Sequence, residues 1–160
     1  MRGRGDVEKR GLRLAVETVL REELAVTGIH QVCERCGGPD HGRPRVRVDD
    51  GPAPHVSWSY TARCAVVAWT WAAPIGVDVE ADGPDLAGVG DRAAWTRTEA
   101  VLKATGEGLS RSPSVVGHDD VWVAGLSLPA AYVGHVAVVG AHRVAPEVSW
   151  RLVGPAAPSG

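Results

Sequence analysis

Phenylalanine is missing from this 160-residue chain, and lysine is nearly so: apart from Lys9 and Lys103, every basic residue is an arginine. The three cysteines are an odd number, which does not make a disulfide framework. There is no long apolar run, no signal-peptide pattern and no charged tail, so neither a membrane span nor a secreted protein is expected, and the default is a soluble cytoplasmic protein. A net charge of -2 gives no sign of a nucleic-acid partner. What remains is rich in Ala, Val, Gly and Arg, a bias that suggests a high-GC bacterial genome, and long enough for one domain with a real core. Against that bias, the lysine kept at position 103 hints that a compact, titratable ammonium is wanted there.

The most informative stretch is Ile75-Gly76-Val77-Asp78-Val79-Glu80. It alternates strictly, which places Ile75, Val77 and Val79 on one face of a strand and Gly76, Asp78 and Glu80 on the other. Side chains two apart on a strand are roughly 6.6 Å apart along the chain, close enough for both carboxylates to reach one hard cation. Gly76 is expected to keep the space beside them open, and an acidic face of this kind is expected to be half solvated and to contribute little stability. Further on, residues 95–104 read as a helix with Glu99 and Lys103 one turn apart on one stripe. The blander readings are a solvated acidic rim, a capping box formed by Thr96-x-x-Glu99 with Trp95 as its staple, and a surface ion pair worth only ~0.3–0.5 kcal/mol.

Order and spacing together weigh against those readings. Gly76-Val77-Asp78-Val79-Glu80, then Trp95-Thr96-Arg97-Thr98-Glu99-Ala100-Val101-Leu102-Lys103-Ala104, then Gly106-Glu107-Gly108 resembles the signature of the 4'-phosphopantetheinyl transferases, in a short variant of the surfactin-synthetase-activating type. The resemblance implies an α+β fold of two similar halves on a pseudo-two-fold axis, here residues 10–72 and 73–153 of a single catalytic domain, with residues 154–160 as a tail. It also implies transfer of the 4'-phosphopantetheine arm of coenzyme A to a serine of an apo acyl or peptidyl carrier domain, as in fatty acid, polyketide or nonribosomal peptide synthesis. Asp78, Glu80 and Glu99 would hold Mg²⁺, Glu99 would take the serine proton, and Lys103 would stabilise charge on the phosphates. A non-catalytic relative that binds coenzyme A or a carrier domain is the alternative.

The rest of the chain is read in that light. Leu12, Ala15, Val16, Val19, Leu20 and Leu24 fall at helical spacing over residues 11–26, after a frayed start at residues 1–9 and before a stop at Gly28. Arg13, most simply a solvated face residue, matches a basic position that holds the 3'-phosphate of coenzyme A in the family. His41-Gly42-Arg43-Pro44 resembles the family's His-Gly-Lys-Pro loop along the nucleotide, with arginine for lysine. Ser57 and Trp58 fall in a segment that reads Ser-His-Ser in many members. Trp58 replaces the histidine there, so His55, His41 or Arg63 would have to supply a phosphate donor, while Trp58 packs on the ligand or in the core. Thr98 stands where a lysine is common, and 14 residues between Glu80 and Trp95 leave no room for the extra helix of longer relatives.

Cys33-x-x-Cys36 has the spacing of half a zinc knuckle, with His41 or Cys64 nearby but no second pair, and a small zinc-binding module is a third reading; against it, replacing both cysteines with serine is expected to leave activity largely unchanged. Residues 65–69 and 75–80 are expected to pair as an antiparallel hairpin across the turn at 71–74. Val115-Val116 and the runs at residues 120–124, 134–139 and 148–153 read as three or four strands, and His118, His135 and His142, with no motif around them, as structural residues.

Overall fold

The computed structural model describes residues 4–33, 35–39, 41–107, 120–140 and 142–154. Gly108, the pair Val115-Val116, His118 and residues 155–160 lie outside the described residues.

Helix α1 spans Arg4–Leu24. Leu12, Val16 and Leu20, at the four-residue spacing of one helical stripe, are almost completely buried. The expectation of a frayed start is corrected: the helix is already formed at Arg4. Once the Leu12 stripe anchors the helix, each further turn costs little, because the nucleation penalty has been met. It also ends earlier than its apolar pattern suggests. Ala25, at φ 50, turns the chain into strand β1, Val26–Gln31. Gly28 is therefore a residue of a strand, beside a bulge, rather than a helix stop.

Among the described residues, seven more strands and one helix follow: β2 Pro44–Val48, β3 His55–Tyr60, β4 Ala65–Thr70, β5 Ile75–Ala81, α2 Arg92–Thr105, β6 Val121–Gly125, β7 Tyr132–Val139 and β8 Ser149–Val153. β1 and β2 form a two-stranded antiparallel ribbon; the other strands form two three-stranded sheets, β3-β4-β8 and β5-β7-β6, whose neighbours all pair antiparallel. The fold is mixed α+β. The expected hairpin of β4 and β5 is not formed. β4 pairs with β3 and β8, β5 pairs with β7, and the turn at 71–74 carries the chain from one sheet to the other.

Strict alternation explains the layering. On β4, Ala65, Val67 and Trp69 face α1 with Leu12, Val16 and Leu20. Val66 and Ala68 face the other sheet, against Ile75, Val77, Val79, Val136 and Val138. On the far side of that sheet, Ala137 of β7 meets Ala100, Val101, Leu102 and Ala104 of α2. A helix thus backs each sheet, and β4, buried at every position, lies at the centre.

Two features seat α2 on β5. A Cβ at Gly76 would lie 2.0 Å from Ala100 O and 2.4 Å from Ala104 N, so Gly76 lets the helix backbone touch the strand. That corrects the expectation of open space at this glycine. The helix begins at Arg92, with Asp91 as its cap: Asp91 Oδ1 accepts from Ala93 N–H at 3.1 Å and Oδ2 from Ala94 N–H at 3.3 Å. Thr96 is consequently inside the helix and buried, and the capping box with Glu99 does not exist.

Candidate functional site

β5 is an edge strand of its sheet, and β3 is an edge strand of the other. Where these edges meet, serines of β3 satisfy groups of β5. Val77 N–H donates to Ser57 Oγ at 3.0 Å, and Ser59 Oγ donates to Asp78 Oδ1 at 2.8 Å. From the other side Lys103 of α2 reaches across, with Nζ 2.7 Å from Asp78 Oδ1 and 3.0 Å from Val77 O. Asp78 is only 5% exposed, not the half-solvated rim its place at a strand end suggests.

One oxygen of Asp78 takes both donors. The other, Oδ2, is buried and has no hydrogen-bond partner among the described residues, and the same holds for Glu99 Oε1. Leaving a carboxylate oxygen dry and unpaired is costly, a cost that either protonation of the carboxyl or a bound cation would relieve. Glu80, the third carboxylate, lies 3.9 Å from Arg92 Nη1. Burial and then the charge of Asp78 push the carboxyl groups of Glu80 and Glu99 above their ordinary range, against the opposing pull of Lys103 on both. The chemistry of this donor set, all hard oxygen, suits Mg²⁺. The oxygens of Asp78, Glu80 and Glu99 do not all lie within 4.8 Å of one another; among the described residues that spacing is met by Cys33, Cys36 and His41.

Ser59 and Lys103, the two side chains that bond Asp78, line a cleft of about 530 Å³ together with Lys9, Arg13, Gln31, His41, Trp58 and Tyr60, among others; the three carboxylates themselves are not in its lining. Four positions picked from sequence therefore meet there: Arg13, His41, Trp58 and Lys103. Arg13 is held by its neighbours, with Nη1 donating to Gln31 Oε1 at 2.7 Å, Nε to Glu17 Oε1 at 3.1 Å, and Cζ standing 5.4 Å from the centre of the Trp58 ring. Trp58 is both buried in the α1 cluster and at the cleft wall. Burial and the nearby Glu17 raise the Tyr60 phenol to about 12, with Arg13 opposing, so it stays protonated.

Other expected ligand contacts are occupied differently. Arg43 donates from Nη2 to the Ala104 and Lys103 carbonyls at 2.7 and 3.2 Å, closing the C-terminal end of α2. With Pro44 and His55 it lines a second recess, of about 300 Å³. Gly42, at φ 106, lets the loop pass close to Val32, whose carbonyl oxygen would be 2.5 Å from a Cβ, and its own carbonyl accepts from Gln31 Nε2. Ser57 is buried beneath the site. Arg63 is exposed, and Thr98 hydrogen-bonds its own helix at Ala94 O.

Sequence reasoning missed Ser59, Gln31 and His135. His135 pairs directly with Asp78 in the β5–β7 register, and its Nδ1 lies 2.8 Å from Thr96 Oγ1. Burial, then the charge of Arg97, lowers its pKa, which keeps the ring neutral beside the carboxylates. Nothing in the local sequence marks it; only the strand register does.

No family model matches the chain, and no curated protein matches it.

Proposed function

We propose that this chain is a Mg²⁺-dependent 4'-phosphopantetheinyl transferase, moving the arm of coenzyme A onto a serine of an apo acyl or peptidyl carrier domain. The observation that carries the reading is the pair of buried oxygens without a partner among the described residues, Asp78 Oδ2 and Glu99 Oε1, near Lys103, which bonds Asp78 and lines the cleft. In this reading the two helix-backed sheets are similar halves about a pseudo-two-fold axis, with the cofactor cleft between them. Support comes from the cleft's lining, which combines α1 and β3 on one side with Lys103 of α2 on the other.

Asp78, Glu80 and Glu99 would hold the ion, which supplies charge neutralisation on the pyrophosphate. Lys103, fixed by Asp78, adds an ammonium to the same phosphates. Arg13 and Lys9 offer charge, and His41 a ring N–H, to the nucleotide phosphates, and Trp58 a flat apolar wall. Glu99, whose carboxyl burial pushes above its ordinary range in the metal-free chain, would accept the proton of the carrier serine. The serine oxygen then bonds to phosphorus as the bond to the adenosine 3',5'-bisphosphate oxygen breaks.

A non-catalytic coenzyme A or carrier-binding protein is the second reading, favoured by the spread of the three carboxylates and by tryptophan at position 58. Labelling of an apo carrier domain by fluorescent coenzyme A separates the two. Magnesium-dependent covalent labelling is expected; binding without labelling at any magnesium concentration would favour the second reading.

A further inference from the structure

The loop between β1 and β2 carries chemistry that the carboxylate site does not use. The sulfurs of Cys33 and Cys36 and a ring nitrogen of His41 all lie within 4.8 Å of one another, and Cys36 Sγ is 3.2 Å from His41 Nε2. Tetrahedral zinc, with Zn–S about 2.3 Å and Zn–N about 2.0 Å, separates neighbouring ligand atoms by roughly 3.5–3.8 Å. The three side chains therefore already surround a point at which such an ion fits after small rotations.

The backbone is shaped for that arrangement. Gly37 N–H donates to Cys33 O at 2.7 Å, Cys33 N–H to Gly38 O at 2.9 Å, and Gly38 N–H to Cys36 Sγ at 3.4 Å. Gly37 takes φ 71, in the left-handed region. At Gly38 a Cβ would come 3.1 Å from His41 Cε1 and 3.3 Å from Cys36 Sγ, so a larger residue would press on both. Cys64 belongs elsewhere: it is buried, and its sulfur contacts Thr61 Oγ1.

We propose that Cys33, Cys36 and His41 bind one zinc ion, with a water in the fourth position. Two thiolates and an imidazole select zinc over magnesium, so this ion is chemically distinct from the one at the carboxylates. Its effect is to fix a loop with two duties. His41 stands in the cleft wall, and Arg43, just beyond it, holds the last carbonyls of α2, the helix of Glu99 and Lys103. Metal at the loop thereby steadies both sides of the cleft. The inference does not depend on the transferase reading.

The test uses the untagged full chain. After removal of metal, Co²⁺ is titrated into the wild-type protein; thiolate-to-cobalt charge-transfer absorption saturating at one equivalent, abolished by Zn²⁺ and unaffected by Mg²⁺, is expected. Elemental analysis should find one zinc per chain in the wild type and in Cys64→Ser, none in Cys33→Ser/Cys36→Ser, and an affinity weakened roughly tenfold or more in His41→Ala. Absence of the thiolate band in the reduced wild type, or a double variant that keeps stoichiometric zinc, would overturn the proposal. Since the cobalt titration needs no variant, a misfolded mutant leaves it decisive. Failure of the transferase reading would appear separately, as a zinc-loaded chain that labels no carrier in Mg²⁺.

Discussion

Lys103 Nζ and Asp78 Oδ1 lie 2.7 Å apart and join α2 to β5 at a point where the aspartate is buried and the lysine one-third exposed. The pair is structural as well as electrostatic, and that changes what mutation should do. Asp78→Ala removes the carboxylate that pairs with Lys103 and accepts from Ser59, leaving the ammonium only the Val77 carbonyl, and is expected to cost about 1–3 kcal/mol, not to leave stability untouched. Asp78→Asn retains the shape and should fold, yet lose transfer roughly 100-fold or more if the carboxylate serves an ion. Carrier labelling and chemical denaturation, measured on both variants, check the two halves of this expectation. Asparagine labelling at the parent rate would remove Asp78 from the site.

Glu99→Gln isolates charge at the unpartnered oxygen. With no cap for Glu99 to close, the change is expected to keep or slightly raise stability, by less than about 1 kcal/mol, since it removes a buried negative charge. Transfer should fall by orders of magnitude, with more magnesium needed for half-maximal rate. A variant with the parent rate and magnesium dependence would show that Glu99 is not a ligand.

The same group predicts a pH dependence. Glu99 and Glu80 have folded-state values above the ordinary 4.5, so between 4.5 and those raised values the folded chain holds more protons than the unfolded one. Their contribution to stability is full below 4.5 and is lost as pH rises through the raised values. In magnesium-free buffer, Glu99→Gln should therefore gain on the wild type as pH rises through this window, and millimolar Mg²⁺ should close the gap. Thermal midpoints across the window give the readout; parallel curves for the two proteins would contradict the assignment.

Gly76→Ala tests the seating of the helix. Its added methyl would sit 2.0 Å from Ala100 O, where only backbone could yield, so α2 must lift from β5. A loss of at least ~2 kcal/mol in denaturant is expected, together with loss of labelling. Wild-type stability would mean that the helix does not touch the strand.

Arg13 and Arg43 should separate binding from scaffold. Arg13→Ala is expected to raise KM for coenzyme A roughly tenfold with kcat little changed, the effect of one lost charge-assisted contact. Arg43→Ala should instead cost about 1–3 kcal/mol of stability by baring the carbonyls of Lys103 and Ala104. An Arg43→Ala protein of normal stability but raised KM would return that side chain to the ligand.

Much of this was legible because period-two and helical patterns survive in the chain. β5 shows in Ile75, Val77 and Val79, and the buried stripe of α1 in Leu12, Val16 and Leu20. What failed to show has physical reasons. In β1 a glycine and a bulge break the alternation, so Val26 reads as the end of a helix and Gly28 as its stop. Thr96 and Glu99 have the spacing of a capping box, but the geometry of a cap depends on where the backbone turns, and Asp91 supplies that turn earlier. β4 and β5 look like a hairpin because they are adjacent apolar runs; sheet membership is decided by distant partners. The carboxylates, Lys103 and Arg13 were recognisable, whereas Ser59 and His135 reach the site only through edge contact and register.

The placement of β8 bears on how the chain acquires its shape during synthesis. β4 hydrogen-bonds on one flank to its immediate predecessor, but on the other flank Ala65 must wait for Val153. At ~5–20 residues per second, a ribosome leaves that central, wholly buried strand with an open flank for several seconds or more. An unsatisfied edge of that kind recruits other strands. Truncation within residues 149–153 should accordingly harm solubility more than activity per folded molecule, and adding those residues back as a separate peptide should rescue it.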